Sequence, residues 1–143
     1  MAPIRIVCPV CDAVNQLPEE RLGQGPKCGR CKSPLFAGEP VALDEARFGK
    51  HATQGDIPLV VDFWAGWCQP CRVFAPTFQA AAARHEPRAR FAKVDVDAAP
   101  GLSQRYNVSS IPTLMMIKKG QVVDRVAGAL PPGQLEAWLQ KTL

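Results

Sequence analysis

The six cysteines of this 143-residue chain are arranged as three CxxC pairs, so thiol chemistry is the first activity to consider. The pairs are Cys8/Cys11, Cys28/Cys31 and Cys68/Cys71. Two cysteines separated by two residues can bind a metal ion, form a structural disulfide, or cycle between dithiol and disulfide. The residues that surround each pair decide among these three uses.

The first two pairs have the spacing of a four-thiolate metal site. Each pair can form a tight turn, and the sixteen residues between Cys11 and Cys28 allow the two turns to face one another around a tetrahedral ion. Gly29 gives the second turn additional freedom to bend. Structural disulfides or free thiols are the alternative, and an iron–sulfur or rubredoxin-like iron site would use the same thiolates. We predict a structural Zn²⁺ site whose ligands are Cys8, Cys11, Cys28 and Cys31.

Residues 1–40 differ in composition from the rest of the chain. They contain two CxxC pairs with several glycines and prolines, and they show little apolar periodicity, so they should not form a core of their own. A bound metal ion would supply the missing folding free energy. We therefore predict a zinc-ribbon domain at residues 1–40 and a second domain at residues 41–143.

The third pair lies where an apolar strand ends and a helix begins. At a helix N-terminus, unpaired N–H groups and the helix dipole stabilise a thiolate, which favours a nucleophilic Cys68, whereas Cys71 should be more shielded. Pro70 suits the first turn of that helix. A second metal site would need two more ligands, and His85 is the one histidine or cysteine that follows Cys71. The pair is therefore predicted to be redox-active.

The elements that position this pair alternate between helices and strands along residues 41–143. The order is helix (LDEARFGKHATQ), strand (IPLVVDFWA), helix (CRVFAPTFQAAAARHE), strand (ARFAKVDVD), short helix (PGLSQRYN), two strands joined at Gly120, and a terminal helix (PPGQLEAWLQKTL). This order predicts an α/β domain with helices on both faces of a partly antiparallel sheet. In the long helix, Phe74, Phe78 and His85 recur at helical spacing and should face the sheet.

The overall charge and hydropathy exclude several other classes of protein. The net charge of +4 is spread thinly, with five basic and four acidic residues in 1–40 and twelve and nine in 41–143, so no concentrated nucleic-acid-binding face is expected. No apolar stretch reaches the roughly 18 residues of a membrane-spanning helix. The first twenty residues lack the features of a secretory signal. We therefore expect a cytoplasmic protein without membrane contact. The cytoplasm is a reducing compartment, in which static disulfides are disfavoured.

Several longer motifs in residues 41–143 resemble the thioredoxin family. They are VVDFWAGWCQPCR, KVDVD and YNVSSIPTLMMIKKGQVVDRVAGAL, followed by the amphipathic terminal helix. Two CxxC pairs ahead of such a domain are similar to the bacterial thioredoxin-2 subgroup, which carries an N-terminal zinc ribbon. The resemblance implies a thioredoxin fold, with a central five-stranded mixed sheet flanked by helices, and a role in thiol–disulfide exchange.

The resemblance also assigns roles to residues near the dithiol. It implies that Cys68 attacks the substrate disulfide and that Cys71 resolves the mixed disulfide. Asp62 interrupts an apolar strand, where burial should raise its pKa and let it accept a proton from Cys71. The alternative is an aspartate at a strand edge bonded to Lys93, and the family pattern also places a lysine near that carboxylate.

The segment SSIPT supplies the next part of the site by resemblance. The Ile111–Pro112 bond is expected to be cis and to face the dithiol, although the residues alone place Pro112 only at a strand start, where a trans proline is also ordinary. Gln69 replaces the usual glycine between the active cysteine and proline, so the reduction potential should differ from that of a typical member. The expected substrate surface consists of Trp67, Gln69, Pro70, Ile111, Pro112, Gly128 and Ala129.

Three functional hypotheses follow. The first is a monomeric enzyme that reduces protein disulfides and is recharged by a flavin-dependent thioredoxin reductase using NADPH; the chain has no glycine-rich dinucleotide motif, so no bound organic cofactor is expected. A protein-disulfide oxidant or isomerase is the alternative within redox chemistry. The second hypothesis is a zinc-ribbon module that binds nucleic acid or protein on a thioredoxin-like scaffold. The third is that oxidation of the zinc thiolates releases the ion and regulates the reductase, in contrast to a permanently structural zinc.

Overall fold

The computed structural model describes residues 3–143. Residues 3–40, here called the amino-terminal segment, contain two short antiparallel strands, β1 (Ile4–Val7) and β2 (Val14–Leu17), and a 3₁₀ helix (Glu19–Gln24). Residues 41–143, here called the α/β unit, contain the remaining strands and all four α-helices of the described chain.

The expectation that residues 1–40 form no core of their own is wrong in part. A small apolar cluster there combines Ile6, Leu17 and Leu35 with two of the cysteines, Cys8 and Cys28. Each four-residue strand contributes only one or two buried side chains. These are too few to produce a recognisable apolar periodicity in the sequence. The side chain of Ile57 from the α/β unit also packs against the cluster, which is therefore part of the contact between the two parts of the chain.

The sheet of the α/β unit has five strands and is mixed, as predicted. β4 is central, β3 and β5 run parallel on one side of it, and β6 and β7 form an antiparallel hairpin on the other. The very short β3 has too few residues to be recognised from its sequence pattern. The strands are β3 (Val41–Ala42), β4 (Leu59–Trp64), β5 (Arg90–Asp95), β6 (Thr113–Lys118) and β7 (Gln121–Ala127).

Helices cover both faces of this sheet, and each face has its own apolar layer. One layer includes Phe48 and Phe63, and the other includes Phe74, Phe78 and Phe91. Successive strand residues alternate between the two layers, as the pleat of a sheet requires. Among residues 3–143, every helix is too short or too polar to cross a lipid bilayer. The helices are α1 (Glu45–Thr53), α2 (Gln69–His85), α3 (Pro100–Arg105) and α4 (Pro132–Thr142).

The long helix α2 buries the predicted aromatic face. Phe74 and Phe78 are buried against the sheet. His85 is only half-buried, with its imidazole ring stacked near Phe91 at 6.2 Å between ring centroids. Its Nε2 atom lies 2.6 Å from Oε2 of Glu136, so this residue also joins α2 to α4.

The amino-terminal segment packs at the amino ends of β4 and β5. Arg5 of β1 bonds to Asp56, which lies just before β4, through both its backbone N–H and its side chain. Arg90, the first residue of β5, reaches backbone carbonyls of the segment. Cys68 follows the opposite, carboxyl end of β4. The segment and the third cysteine pair therefore lie at opposite ends of strands that are about 20 Å long.

Candidate functional site

Cys68 and Cys71 are joined by a disulfide at the start of α2. Cys68 is the N-cap residue of that helix, and its Sγ atom accepts a hydrogen bond from the backbone N–H of Cys71 at 3.2 Å. The same N–H would stabilise a Cys68 thiolate after reduction. The predicted placement of Cys68 at a helix N-terminus is confirmed.

The chain enters this helix through a turn in which the N–H of Cys68 donates to the carbonyl of Ala65. Pro70 occupies the first helical turn, where its missing N–H costs little, and Gln69 beside it is exposed. Both cysteines are buried: Cys68 is 5% exposed and Cys71 is 2% exposed. Cys71 is less exposed than Cys68, as predicted, but the difference between the two exposures is small in the disulfide form.

The Ile111–Pro112 peptide bond is cis, as the resemblance implies. The carbonyl oxygen of Ile111 lies 3.8 Å from Sγ of Cys68, so this loop contacts the dithiol directly. Gly128 is also brought to this loop, since its N–H donates to the carbonyl of Pro112 at 2.8 Å. Ala129 follows Gly128 and is exposed.

Trp67 is the most exposed large apolar residue beside the disulfide, with 71% of its surface accessible. Its indole Nε1–H donates to Oδ2 of Asp97 at 2.8 Å, which fixes the direction of the ring. Asp97 follows β5 and was not identified from the sequence. Thirty residues separate the two partners, and only the parallel pairing of β4 with β5 brings them together.

Asp62 lies in the middle of the sheet, on the central strand β4, and is 4% exposed. Among residues 3–143, its Oδ1 atom has no hydrogen-bond partner. Burial raises the pKa of Asp62 to about 7, while the positive charge of Lys93 opposes that shift. The alternative of a strand-edge aspartate bonded to Lys93 is wrong, because β4 is not an edge strand and the described chain contains no Asp62–Lys93 ion pair.

Lys93 instead lies over an aromatic ring. Its Nζ atom is 5.7 Å from the ring centroid of Trp64, which is half-buried and packs against Ala65 and both cysteines of the disulfide. Trp64 therefore forms one wall of the site, next to the position of Asp62 on the same strand. This arrangement keeps a cation near the buried carboxyl group without a direct bond.

The other four cysteines converge in the amino-terminal segment. All four Sγ atoms lie within 4.8 Å of one another, with Cys8–Cys31 and Cys11–Cys28 each 3.6 Å apart. A tetrahedral Zn²⁺ with Zn–S bonds of about 2.3 Å holds its sulfurs about 3.8 Å apart, so the four thiols fit such an ion. None of the four forms a disulfide. The convergence predicted from the spacing is confirmed, and the arrangement indicates metal binding.

Two matching turns present these cysteines. In each turn the first cysteine accepts, at its carbonyl, the N–H of the residue after the second cysteine: Asp12 to Cys8 and Lys32 to Cys28. Asp12 and Lys32 both have positive φ, at 66° and 67°. The left-handed position therefore follows the second cysteine of each pair, and Gly29 is not one of the glycines with positive φ.

Backbone N–H groups point at the buried sulfurs. Sγ of Cys8 accepts from Val10 at 3.4 Å and from Cys11 at 3.5 Å. Sγ of Cys28 accepts from Arg30 at 3.4 Å and from the side chain of Asn15 at 3.5 Å. Donors of this kind stabilise thiolates, which are the form that binds a metal ion.

Comparisons with known proteins agree with both sites. Residues 39–141 match the family model described as Thioredoxin, and residues 7–33 match the one described as Thioredoxin 2, N-terminal. The chain is 44% identical over 138 residues to "Thioredoxin C-3" of Corynebacterium nephridii, covering 96% of this chain and 94% of that protein. It is 42% identical over 103 residues to "Thioredoxin" of Alicyclobacillus acidocaldarius, covering 72% of this chain and 97% of that protein. Similarity to "Thioredoxin 1" of a Nostoc species is 41% identity over 101 residues, or 71% and 94% of the two chains.

Proposed function

The chain belongs to the thioredoxin family and is a thiol–disulfide oxidoreductase, and from that premise we propose that it reduces disulfide bonds in proteins. Cys68 and Cys71 carry the electrons, and an NADPH-dependent thioredoxin reductase recharges them. The main support is the position of Cys68, whose sulfur accepts the N–H of Cys71 at a helix N-terminus beside the Ile111 carbonyl.

The reaction consists of two exchanges between sulfurs. The Cys68 thiolate attacks one sulfur of the substrate disulfide, which forms a mixed disulfide and releases the other substrate sulfur as a thiolate. Cys71 then loses its proton and attacks Sγ of Cys68, which releases the second substrate thiolate. Both released thiolates take up protons. The substrate gains two electrons and two protons, and the Cys68–Cys71 pair is oxidised to the disulfide.

We assign the proton acceptor for Cys71 to Asp62. A carboxyl group with a pKa of about 7 exchanges protons readily near neutral pH, whereas an ordinary aspartate would remain ionised. Burial, which is the cause of that shift, also keeps bulk water from competing for the proton. Lys93 supports this role by supplying a nearby positive charge that stabilises the ionised form.

We assign substrate docking to the surface around Cys68, where an extended peptide segment would pair with the backbone of Ile111. Val73 lies on α2 shortly after the disulfide and is 65% exposed, so we add it to this surface. The helical spacing of Phe74, Phe78 and His85 leaves Val73 off the predicted sheet-facing side, but it did not identify Val73 as part of a substrate surface. The remaining members, proposed from the resemblance, are Trp67, Gln69, Pro70, Pro112, Gly128 and Ala129.

We assign the metal to Zn²⁺ with a structural role, held by Cys8, Cys11, Cys28 and Cys31 in a ribbon domain of residues 1–40 ahead of a thioredoxin-fold domain of residues 41–143. When bound, the ion supplies folding free energy, because each of its bonds to a cysteine ties together parts of a segment with little apolar core. Elemental analysis of purified protein should find one zinc per chain, and a protein whose four cysteines are intact but which binds no metal would contradict the assignment.

The first experiment is NADPH-coupled reduction of insulin disulfides with a bacterial thioredoxin reductase. The control is Cys68→Ser, which keeps the side-chain size but removes the nucleophile. We expect steady NADPH oxidation with the wild-type protein and none above background with the variant. Protein with a reactive Cys68–Cys71 pair that shows no turnover would contradict recharging by this reductase, and it would favour either a protein-disulfide oxidant or a reductase with a different electron donor.

A further inference from the structure

Arg90 crosses the contact between the α/β unit and the amino-terminal segment. It is the first residue of β5 and is 4% exposed, which is rare for an arginine. Its Nη2 atom donates to the carbonyl of Val7 at 3.1 Å and to the carbonyl of Leu35 at 2.7 Å. A buried guanidinium that donates to two backbone carbonyls is a specific contact, because burying such a group without acceptors would cost free energy.

The two carbonyls belong to opposite sides of the four-cysteine site. Val7 immediately precedes Cys8, the first ligand of the first pair. Leu35 closes the loop of the second pair, since its N–H donates to the carbonyl of Pro26, which lies just ahead of that pair. One guanidinium from the α/β unit therefore bridges the chain that enters the first cysteine turn and the chain that leaves the second.

A second arginine of the α/β unit holds the first cysteine turn itself. Nη2 of Arg47, on α1, donates to the carbonyl of Pro9 at 2.7 Å, and its Nε donates to the carboxylate of Asp12 at 2.9 Å. Pro9 lies between the two cysteines of the pair, and Asp12 is the positive-φ residue after them. His51, also on α1 and buried, lies 2.8 Å from the same carboxylate.

The charges match the requirements of a thiolate-bound metal. Four thiolates around a divalent ion carry a net charge of −2, which nearby arginines offset. Burial lowers the pKa of Arg90, while the negative charge of Glu86 opposes that shift. Arg90 also lies 3.7 Å from a carboxylate oxygen of Glu86 and 4.5 Å from the ring centroid of Phe36, so its position is fixed on several sides.

We propose that Arg90 and Arg47 are positioning residues for the four-cysteine metal site, so that metal binding and the stability of the α/β unit are coupled. This inference rests on the zinc assignment made above and goes beyond it. Metal binding fixes the carbonyls of Val7, Leu35 and Pro9 in the positions at which they accept hydrogen bonds from the two arginines. Coupling of this kind is reciprocal: the arginines tighten metal binding, and the metal stabilises the unit that carries the arginines.

The test measures zinc affinity of the full-length protein by competition with a chromogenic chelator. The variants are Arg90→Met and Arg47→Met, with Arg88→Met as the matched control, because Arg88 is exposed and lies only two residues from Arg90. We expect the dissociation constant for Zn²⁺ to rise by about 10- to 100-fold in each of the first two variants and by no more than about twofold in the control.

A second variant distinguishes a loss of zinc affinity from a failure of Arg90→Met to fold. Arg90→Met leaves the buried Glu86 carboxylate without its cation, so Arg90→Met combined with Glu86→Gln removes that uncompensated charge. Glu86 accepts hydrogen bonds from Gly38 at Oε1 (3.0 Å) and from Phe91 at Oε2 (3.4 Å), so a glutamine oxygen can keep the shorter bond from Gly38 while the longer bond from Phe91 is lost. We expect this double variant to fold, as judged by circular dichroism, and still to bind zinc weakly.

Thermal unfolding supplies the reciprocal measurement. Removing zinc from the wild-type protein should lower the melting temperature of the α/β unit, followed by near-ultraviolet circular dichroism, and this decrease should be smaller in the double variant than in the wild type or Arg88→Met. Zinc affinities of Arg47→Met and the folded double variant equal to that of wild type would overturn the coupling alone. A wild-type protein that binds no zinc would overturn the zinc assignment and the coupling together.

Discussion

Asp62 and Lys93 are register partners on the parallel strands β4 and β5, yet they form no ion pair. Oδ1 of Asp62 is buried without a hydrogen bond in the described chain, while Lys93 is exposed and lies over the ring of Trp64. The positive charge of Lys93 therefore acts on the Asp62 carboxyl group, but this group remains poorly solvated. This relationship favours the protonated form of Asp62 up to about neutral pH.

The first prediction concerns stability and pH. Burial raises the pKa of Asp62 from 3.8 to about 7, so between these pH values the native protein holds a proton that the unfolded chain has released. The stability that comes from this protonated group is fully present below pH 3.8 and is lost as pH rises through about 7. Asp62→Asn cannot ionise, so its free energy of unfolding should exceed that of wild type by roughly 3 to 4 kcal/mol above pH 7.

Urea unfolding of the disulfide form at several pH values measures this difference. Glu20→Gln is the control, since Glu20 is an exposed carboxylate of the 3₁₀ helix and its substitution should leave the pH dependence unchanged. An Asp62→Asn difference that stays constant from pH 4 to about pH 8 would show that the carboxyl group is not destabilised by burial.

The second prediction concerns turnover by the same variant. If Asp62 accepts the proton of Cys71, Asp62→Asn should slow release of the substrate from the mixed disulfide, because a neutral amide cannot take the proton. Reduction of insulin should slow by roughly tenfold or more, and the rise in rate with pH near 7 should disappear. Stopped-flow measurement of the single-turnover rate across this pH range provides the profile. Unchanged rates at every pH would remove Asp62 from the mechanism.

The third prediction separates the roles of the two active cysteines. Cys71→Ser leaves Cys68 at the helix N-cap but removes the thiol that we propose resolves the mixed disulfide, so a covalent adduct with a disulfide substrate should accumulate. Non-reducing electrophoresis and intact mass measurement would detect it. Cys68→Ser should form no such adduct, because the nucleophile is missing. Equal trapping by both variants would contradict the assignment of Cys68 as the attacking thiol.

The sequence was sufficient to predict the elements around the dithiol because the relevant signals are local. A buried apolar run followed by CxxC and a helical pattern places Cys68 at a helix start with no knowledge of the rest of the chain. Metal-ligand spacing is equally local within each pair, so convergence of the first four cysteines could be predicted. The succession of the long strands and helices along the chain could be predicted because strand and helix patterns alternate in the sequence.

The residues that the sequence did not reveal act over long separations. Arg90 and Val7 are 83 residues apart, and Asp97 and Trp67 are 30 apart, so their contacts exist only after the sheet has formed. An arginine at the start of a strand is usually read as a solvent-exposed residue. Burial of Arg90 depends on a second unit covering that end of the sheet, which no pattern within β5 records.

The fourth prediction concerns the bond between Trp67 and Asp97. Asp97→Ala removes the acceptor of the indole N–H, so the exposed ring should sample more orientations and dock protein substrates less well. We expect KM for insulin to rise by roughly fivefold, corresponding to the loss of about 1 kcal/mol, with little change in turnover of a small aromatic disulfide. Fluorescence anisotropy decay should report faster motion of a tryptophan. Equal KM values would show that the bond has no role in docking.

The fifth prediction concerns Arg125, which holds the loop that carries the cis-proline. From β7, its Nη1 donates to the carbonyl of Tyr106 at 2.7 Å and its Nη2 donates to the carbonyl of Asn107 at 3.1 Å. These carbonyls end α3, where a cation is favourable, and Asn107 turns the chain with φ of 54°. The chain then runs directly to Ile111, whose carbonyl contacts Cys68.

Arg125→Met should therefore loosen the loop without touching the sulfurs. Because an extended substrate is proposed to pair with the backbone of this loop, we expect KM for protein disulfides to rise by roughly fivefold, equivalent to about 1 kcal/mol, while the single-turnover rate at saturation changes little. Arg125→Lys should recover part of the loss, since an ammonium can still donate to one carbonyl. Arg88→Met, an exposed arginine at the other end of the sheet, is the control. A KM for Arg125→Met equal to that of the control would show that the loop keeps its position without the guanidinium.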